Sequence, residues 1–191
     1  MIFAYVVVFV CGFCLMALEI LGGRALAPYF GFTLHVWGAV IAVFLAALSV
    51  GYAAGERLGG LGFGRRGLLL PQGLVVIILG FYPFYGPRLC EAVFAAGFGP
   101  RWGALLASAL LFVLPSMALG SVPSYLVGMS ATEGFQSKAR AGDIFAISTL
   151  GGIAGTLGVA FYLVELLGTS TGIQLLSIPL AVNCLLCFRR R

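Results

Sequence analysis

Polar interruptions divide the chain into six apolar stretches, near residues 2–23, 36–56, 67–86, 102–128, 143–164 and 169–188. Each approaches the roughly 20 residues with which a helix crosses a hydrocarbon core about 30 Å thick. Lipid offers a backbone N–H or C=O no partner, so every stretch predicts a helix. Composition agrees: 61% of the 191 residues are apolar and 9% are charged, against about 25% charged in soluble domains. The expectation is an all-α integral membrane protein, a single domain of six transmembrane helices over residues 1–191 with no soluble domain.

Within that pattern, small residues recur at helical spacing. The second stretch carries Ala47, Gly51, Gly55 and Gly59, and the fifth carries Gly151, Gly155 and Gly158 with Ser148, Gly152 and Ala154 beside them. Residues four apart stack on one helix face, so each series makes a groove without side chains, which in lipid serves as a contact surface for another helix. That helix can belong to the same chain or to a second subunit, and the spacing alone leaves both open. The fourth stretch holds Pro115 and Pro123 with Ser116, Gly120, Ser121 and Ser124 around them. Two prolines remove two helix hydrogen bonds, which predicts either local unwinding toward a cavity or a kinked helix whose serines bond back to carbonyls.

Charge sets the expected topology. With the N-terminus in the cytoplasm, Arg57, Arg65, Arg66, Lys138, Arg140, Arg189, Arg190 and Arg191 fall inside, and Arg24, Arg88 and Arg101 outside. Basic residues favour the cytoplasmic side of short loops, so both termini are expected inside, in a plasma (inner) membrane. With no basic residue and no small-residue cleavage site before Glu19, no cleavable signal peptide is expected. The net charge of +5 is scattered over loops and forms no stripe for nucleic acid.

Candidate chemistry is sparse. Glu19 lies about one turn from the expected outer end of the first helix and Glu165 near the outer end of the fifth. A carboxylate at membrane depth costs up to about 2.5–3.5 kcal/mol at the helix centre, so Glu19 should face protein, water or a cation, or else reach the interface and pair with Arg24. Cys11 and Cys14, and Cys184 and Cys187, form two CxxC pairs inside helices, whereas redox and metal motifs place such pairs at turns or helix N-termini. Those pairs read as packing. His35 is the only histidine, so no multi-histidine metal centre is expected, and no nucleophile and base pair stands out as catalytic. The glycine run GLGFG follows an apolar helix and not a strand, so no nucleotide cofactor is expected. The segment RLCEAVFAAGFGPRW, too short to cross, suits a short amphipathic helix lying flat on the membrane. The polar run TEGFQSKARAG is the expected docking strip for any cytoplasmic partner.

Four runs together resemble the membrane domain of the transmembrane spermidine synthase-like proteins, major facilitator superfamily segments fused to a synthase domain. They are EILGGR from Glu19 to Arg24, similar to E-V-L-W-x-R; VFLAALSVGYAAGERLG; LPSMALGSVPSYL, similar to L-P-T-x-x-M-G-A-x-x-P; and GDIFAISTLGGIAGTLGVAFYLVELLG, similar to G-x-x-Y-A-x-N-T-x-G-x-x-x-G. Gly22, Ser148 and Glu165 stand where the family has tryptophan, asparagine and proline. The resemblance implies half of a major facilitator-like fold, a 3+3 inverted repeat whose second and fifth helices meet another half while the first and fourth line a cavity. Gly51, Gly55, Gly151, Gly155 and Gly158 would then lie at a homodimer seam. Glu19, Arg24, Ser116, Ser121 and Glu165 would contact a small, cationic or polyamine-like solute. The alternative is a non-transporting membrane subunit that anchors a separate cytoplasmic enzyme of the synthase type.

Overall fold

The computed structural model describes residues 2–132, 141–163 and 167–189. Among these the chain is all-α, with six spans long and apolar enough to cross a membrane. The helices are α1 (Ile2–Phe30), α2 (Leu34–Gly59), α3 (Leu69–Ala95), α4 (Gly99–Thr132), α5 (Ala141–Gly158), α6 (Thr169–Leu175) and α7 (Ser177–Arg189). A 3₁₀ turn at Gly64–Leu68 leads into α3, and a π-helical turn, Val159–Leu163, continues α5. The sixth span is α6 followed by α7. Six crossings put both chain ends and the α2–α3 turn at one end of the bundle, called here the terminal end.

Several helices outrun the apolar stretches that predict them. α1 continues through Gly22, Gly23 and Pro28 to Phe30, because the two glycines are packing positions. A side chain at Gly22 would press on the Phe112 ring, and one at Gly23 on the Trp37 ring. α3 runs through Pro83 and Pro87 to Ala95, so most of the segment expected to lie flat on the membrane instead prolongs α3, with Cys90 and Val93 buried. α4 is one unbroken helix of 34 residues, so of the two alternatives at Pro115–Pro123 the continuous helix with serines bonding back to carbonyls is the one that forms. Ser121 donates to the Ala118 carbonyl at 2.7 Å and Ser124 to the Ser121 carbonyl at 3.2 Å, and neighbouring helices enclose the rest. Prolines in spans are tolerated when serines and adjacent helices attend to the freed backbone.

The bundle is held at two close helix pairs, α2 with α4 and α1 with α5. A Cβ at Gly51, Gly55 or Gly59 would collide with the Met117, Ser121 or Tyr125 carbonyl of α4, and a Cβ at Gly128 with the Glu56 carbonyl of α2. A Cβ at Gly151 or Gly155 would likewise collide with the Phe9 or Phe13 carbonyl of α1, and one at Gly12 with the Ser148 carbonyl of α5. The glycine grooves are therefore filled by this chain's own helices. Gly51, Gly55, Gly151 and Gly155 are buried and line no subunit seam. Gly158 faces the Phe13 ring at 3.8 Å.

Between these pairs, Phe44, Phe112 and Tyr82 bring α2, α4 and α3 together with ring centroids 5.6 and 6.5 Å apart. Where α1, α3 and α7 meet, two buried amides bridge helices. Asn183 donates to the Val7 carbonyl at 3.2 Å and to Cys11 Sγ at 3.8 Å. Gln72 donates to Cys187 Sγ at 3.9 Å and accepts from Cys184 Sγ at 4.0 Å. Three of the CxxC thiols thus partner these amides, the fourth, Cys14 Sγ, donates to the Leu176 carbonyl at 3.8 Å, and all five cysteines are free. Outward faces are apolar, as at Ile77, Phe84 and Leu185, which suits a lipid surround.

Candidate functional site

The lengthening of α1 changes where Glu19 sits. It lies eleven positions before Phe30, so it stands about 16 Å from the Phe30 end of the helix, three turns in and not one. It is half-buried. On α1 it follows Gly12, Leu15 and Met16 at the i+7, i+4 and i+3 spacings that share a helix face. Those three residues form one wall of a cavity of about 320 Å³ between α1, α2 and α5. The opposite walls carry hydroxyl side chains: Tyr52 on α2, and Ser148, Thr149 and Thr156 on α5. Thr149 Oγ1 donates to the Phe145 carbonyl at 2.9 Å.

Toward the terminal end the Tyr52 and Phe145 rings meet edge to face at 5.5 Å and join α2 to α5. Toward the other end, the register that sets Gly151 at Phe9 and Gly155 at Phe13, carried less than two turns further, brings Glu19 level with the π-helical turn Val159–Leu163. Such turns release one carbonyl from the usual ladder and recur at functional sites. The cavity therefore lies between an aromatic contact and a carboxylate beside an irregular turn.

The other expected site residues do not gather there. Arg24 is exposed and makes no ion pair with Glu19, so the alternative in which the two pair at the helix end is not what forms. Ser121 gives its carbonyl and amide to the Gly51–Gly55 stretch of the α2/α4 contact. Ser116 is fully buried in α4, its hydroxyl without a hydrogen-bond partner among the described residues. Neither serine lines the cavity below Glu19. Glu165 and most of the TEGFQSKARAG strip lie outside the described residues. Tyr52 and Thr156 escaped the sequence reading. The signal for Thr156 was the stripe four residues apart on α5, Ser148, Gly152 and Thr156, which reads as part of a glycine groove until α1 is laid against it; Tyr52, on α2, had none.

Among the described residues, no three of His, Cys, Asp and Glu stand close enough to hold a metal ion. The architecture and this site define the class as a six-span all-α membrane protein with a largely apolar cleft that carries four hydroxyl side chains, and a half-buried carboxylate about one turn beyond it on the first span. Comparison with models of known protein families, with curated proteins and with solved structures finds no match.

Proposed function

We propose that the chain is one half of a two-copy membrane carrier that moves a small cationic, polyamine-like solute past Glu19. One observation carries this reading: a half-buried carboxylate three turns inside a span, without a basic partner among the described residues. Ionisable groups at membrane depth face a bundle interior or a watered cavity and mark solute or ion pathways. The hydroxyl-bearing cleft beneath Glu19 adjoins an exposed face, Leu45, Ser49, Leu150 and Ile153 on α2 and α5, and a second copy on that face would enclose it. The glycines do not form this seam; they hold α2 and α5 so that the neighbouring faces point outward.

Two regularities support the half-carrier form with an inverted 3+3 repeat. Exchanging α1 with α4 and α2 with α5 maps one close pair onto the other, residue for residue: Gly51 and Gly55 over Met117 and Ser121 answer to Gly151 and Gly155 over Phe9 and Phe13. Gly12 beside Ser148 likewise answers to Gly120 beside Leu48. Exchanged helices run in opposite directions, which is the sense of an inverted repeat. The basic residues of the α2–α3 turn and the C-terminus favour a cytoplasmic terminal end.

Proteoliposomes holding the wild-type protein are expected to take up radiolabelled spermidine faster than empty vesicles. Glu19→Gln should cut that uptake at least tenfold while the protein remains monodisperse with unchanged melting temperature. Wild-type vesicles no faster than empty ones, with a soluble enzyme co-purifying from membranes, would instead favour the anchoring subunit.

A further inference from the structure

We infer that the chain carries a binding site for one anionic phospholipid of the terminal-end leaflet, between α2, α3 and α4. This site is separate from the Glu19 cleft and stands whether or not the protein transports. A cavity of about 460 Å³ opens there, within the roughly 300–1,000 Å³ of small-ligand sites. Its wall on α4 runs from Leu114 to Tyr125, about 16 Å along the helix and so close to half of a ~30 Å hydrocarbon core. That is the depth of one leaflet.

The chemistry inside the cavity is hydrocarbon. Leu74, Leu114, Met117 and Ala118 line it, and its two polar side chains are already engaged. Ser121 Oγ donates to the Ala118 carbonyl at 2.7 Å, and Tyr125 OH donates to the Gly64 carbonyl at 2.7 Å. A polar ligand group would find little to bond in the depth, and an acyl chain would lose nothing there. The mouth opens sideways to lipid, since Leu70 is 78% and Leu114 44% exposed.

The rim differs. Arg66, exposed on the 3₁₀ turn, supplies the charge of the lining, and Phe63 stands beside it in the rim. The adjacent Arg65 is turned the other way, with its guanidinium 4.9 Å from the Phe3 ring centroid, which leaves Arg66 to serve the cavity. A guanidinium above an acyl-sized slot, at headgroup height, fits a phosphate joined to a hydrocarbon tail. Basic pockets between spans bind anionic headgroups by the same chemistry, and arginine matches phosphate oxygens bidentately.

The test is native mass spectrometry of the purified full chain released from nanodiscs of phosphatidylglycerol, of phosphatidylcholine, or of phosphatidylcholine doped with oleate. The wild type should retain one phosphatidylglycerol and at least tenfold less phosphatidylcholine or oleate. Arg66→Gln should reduce phosphatidylglycerol retention at least tenfold, Arg66→Lys less, and Ala54→Phe, which fills the slot without touching charge, as much as Arg66→Gln. Arg57→Gln, an equal charge change on the last turn of α2 outside the cavity, should retain the lipid. Equal loss in Arg57→Gln and Arg66→Gln, retention in Ala54→Phe, or oleate held as well as phosphatidylglycerol would each overturn the assignment.

Discussion

The two close helix pairs use the same device to different extents. The α2/α4 contact is glycine-tight over its whole terminal-end half, with Gly51, Gly55 and Gly59 against successive α4 carbonyls and Gly128 answering from the other side. The α1/α5 contact is equally tight at Gly151 and Gly155 and then relaxes. Gly158 only grazes a ring and α5 passes into its π-helical turn, while the cleft with its hydroxyls runs alongside the tight stretch, from Ser148 to Leu157 on α5. One pair thus acts as a rigid spine. The other is clamped at one end and irregular at the end where Glu19 stands. A glycine series thus marks where two backbones meet, and the hydroxyls one or two positions away on the same helix, Ser148, Thr149 and Thr156, face the space left beside that contact.

Substitutions at matched positions should distinguish the two helix pairs. The largest effect is expected from Gly55→Leu, whose side chain would enter the space of the Ser121 carbonyl and Ser124 Oγ. Overpacking costs typically about 1–3 kcal/mol and occasionally more, and here the obstacle is backbone, so a loss of about 3 kcal/mol or more is expected. It should appear as a collapse in monodisperse yield and melting temperature. Gly155→Leu meets only the Phe13 backbone beside a cleft that can take up strain, and a smaller loss, about 2 kcal/mol, is expected. The reverse order would show that α1/α5 is the spine. Gly158→Ala should be neutral or slightly stabilising, by up to about 0.5–1 kcal/mol, because the new methyl makes ordinary contact and the helix gains a better former. A marked loss there would mean that the glycine series continues past Gly155.

Much of the architecture was legible in the sequence, for one physical reason: in a chain this apolar, charge and short polar breaks leave few places for a turn. Six spans follow from that alone. Their ends do not, since α1 and α3 continue through prolines and glycines that look like stops until Phe112, Trp37 and the neighbouring helices are seen to use those positions. The glycine grooves at Gly51, Gly55, Gly151 and Gly155 were legible as contact surfaces, but a groove does not name its partner, and here the partner is the same chain. Pro115 and Pro123 suggested an opening because proline reports the bond it removes. Ser121 and Ser124, which bond back within the helix, show why none forms. Of the candidate site, Glu19 was legible from its cost. Its companions Tyr52 and Thr156 were not, because hydroxyls on two other helices acquire meaning only when three helices are brought together.

In the two-copy carrier a second copy covers the outward face of α2 and α5 beside Glu19. Cysteine cross-linking in native membranes tests it directly, in a background whose five native thiols are free and mostly buried. Ile153→Cys, 52% exposed on that face, is expected to give a covalent dimer on mild oxidation, and Ile77→Cys, 61% exposed on the outer side of α3, to remain monomeric. A monomer from Ile153→Cys, or equal dimer from both positions, would contradict the claim.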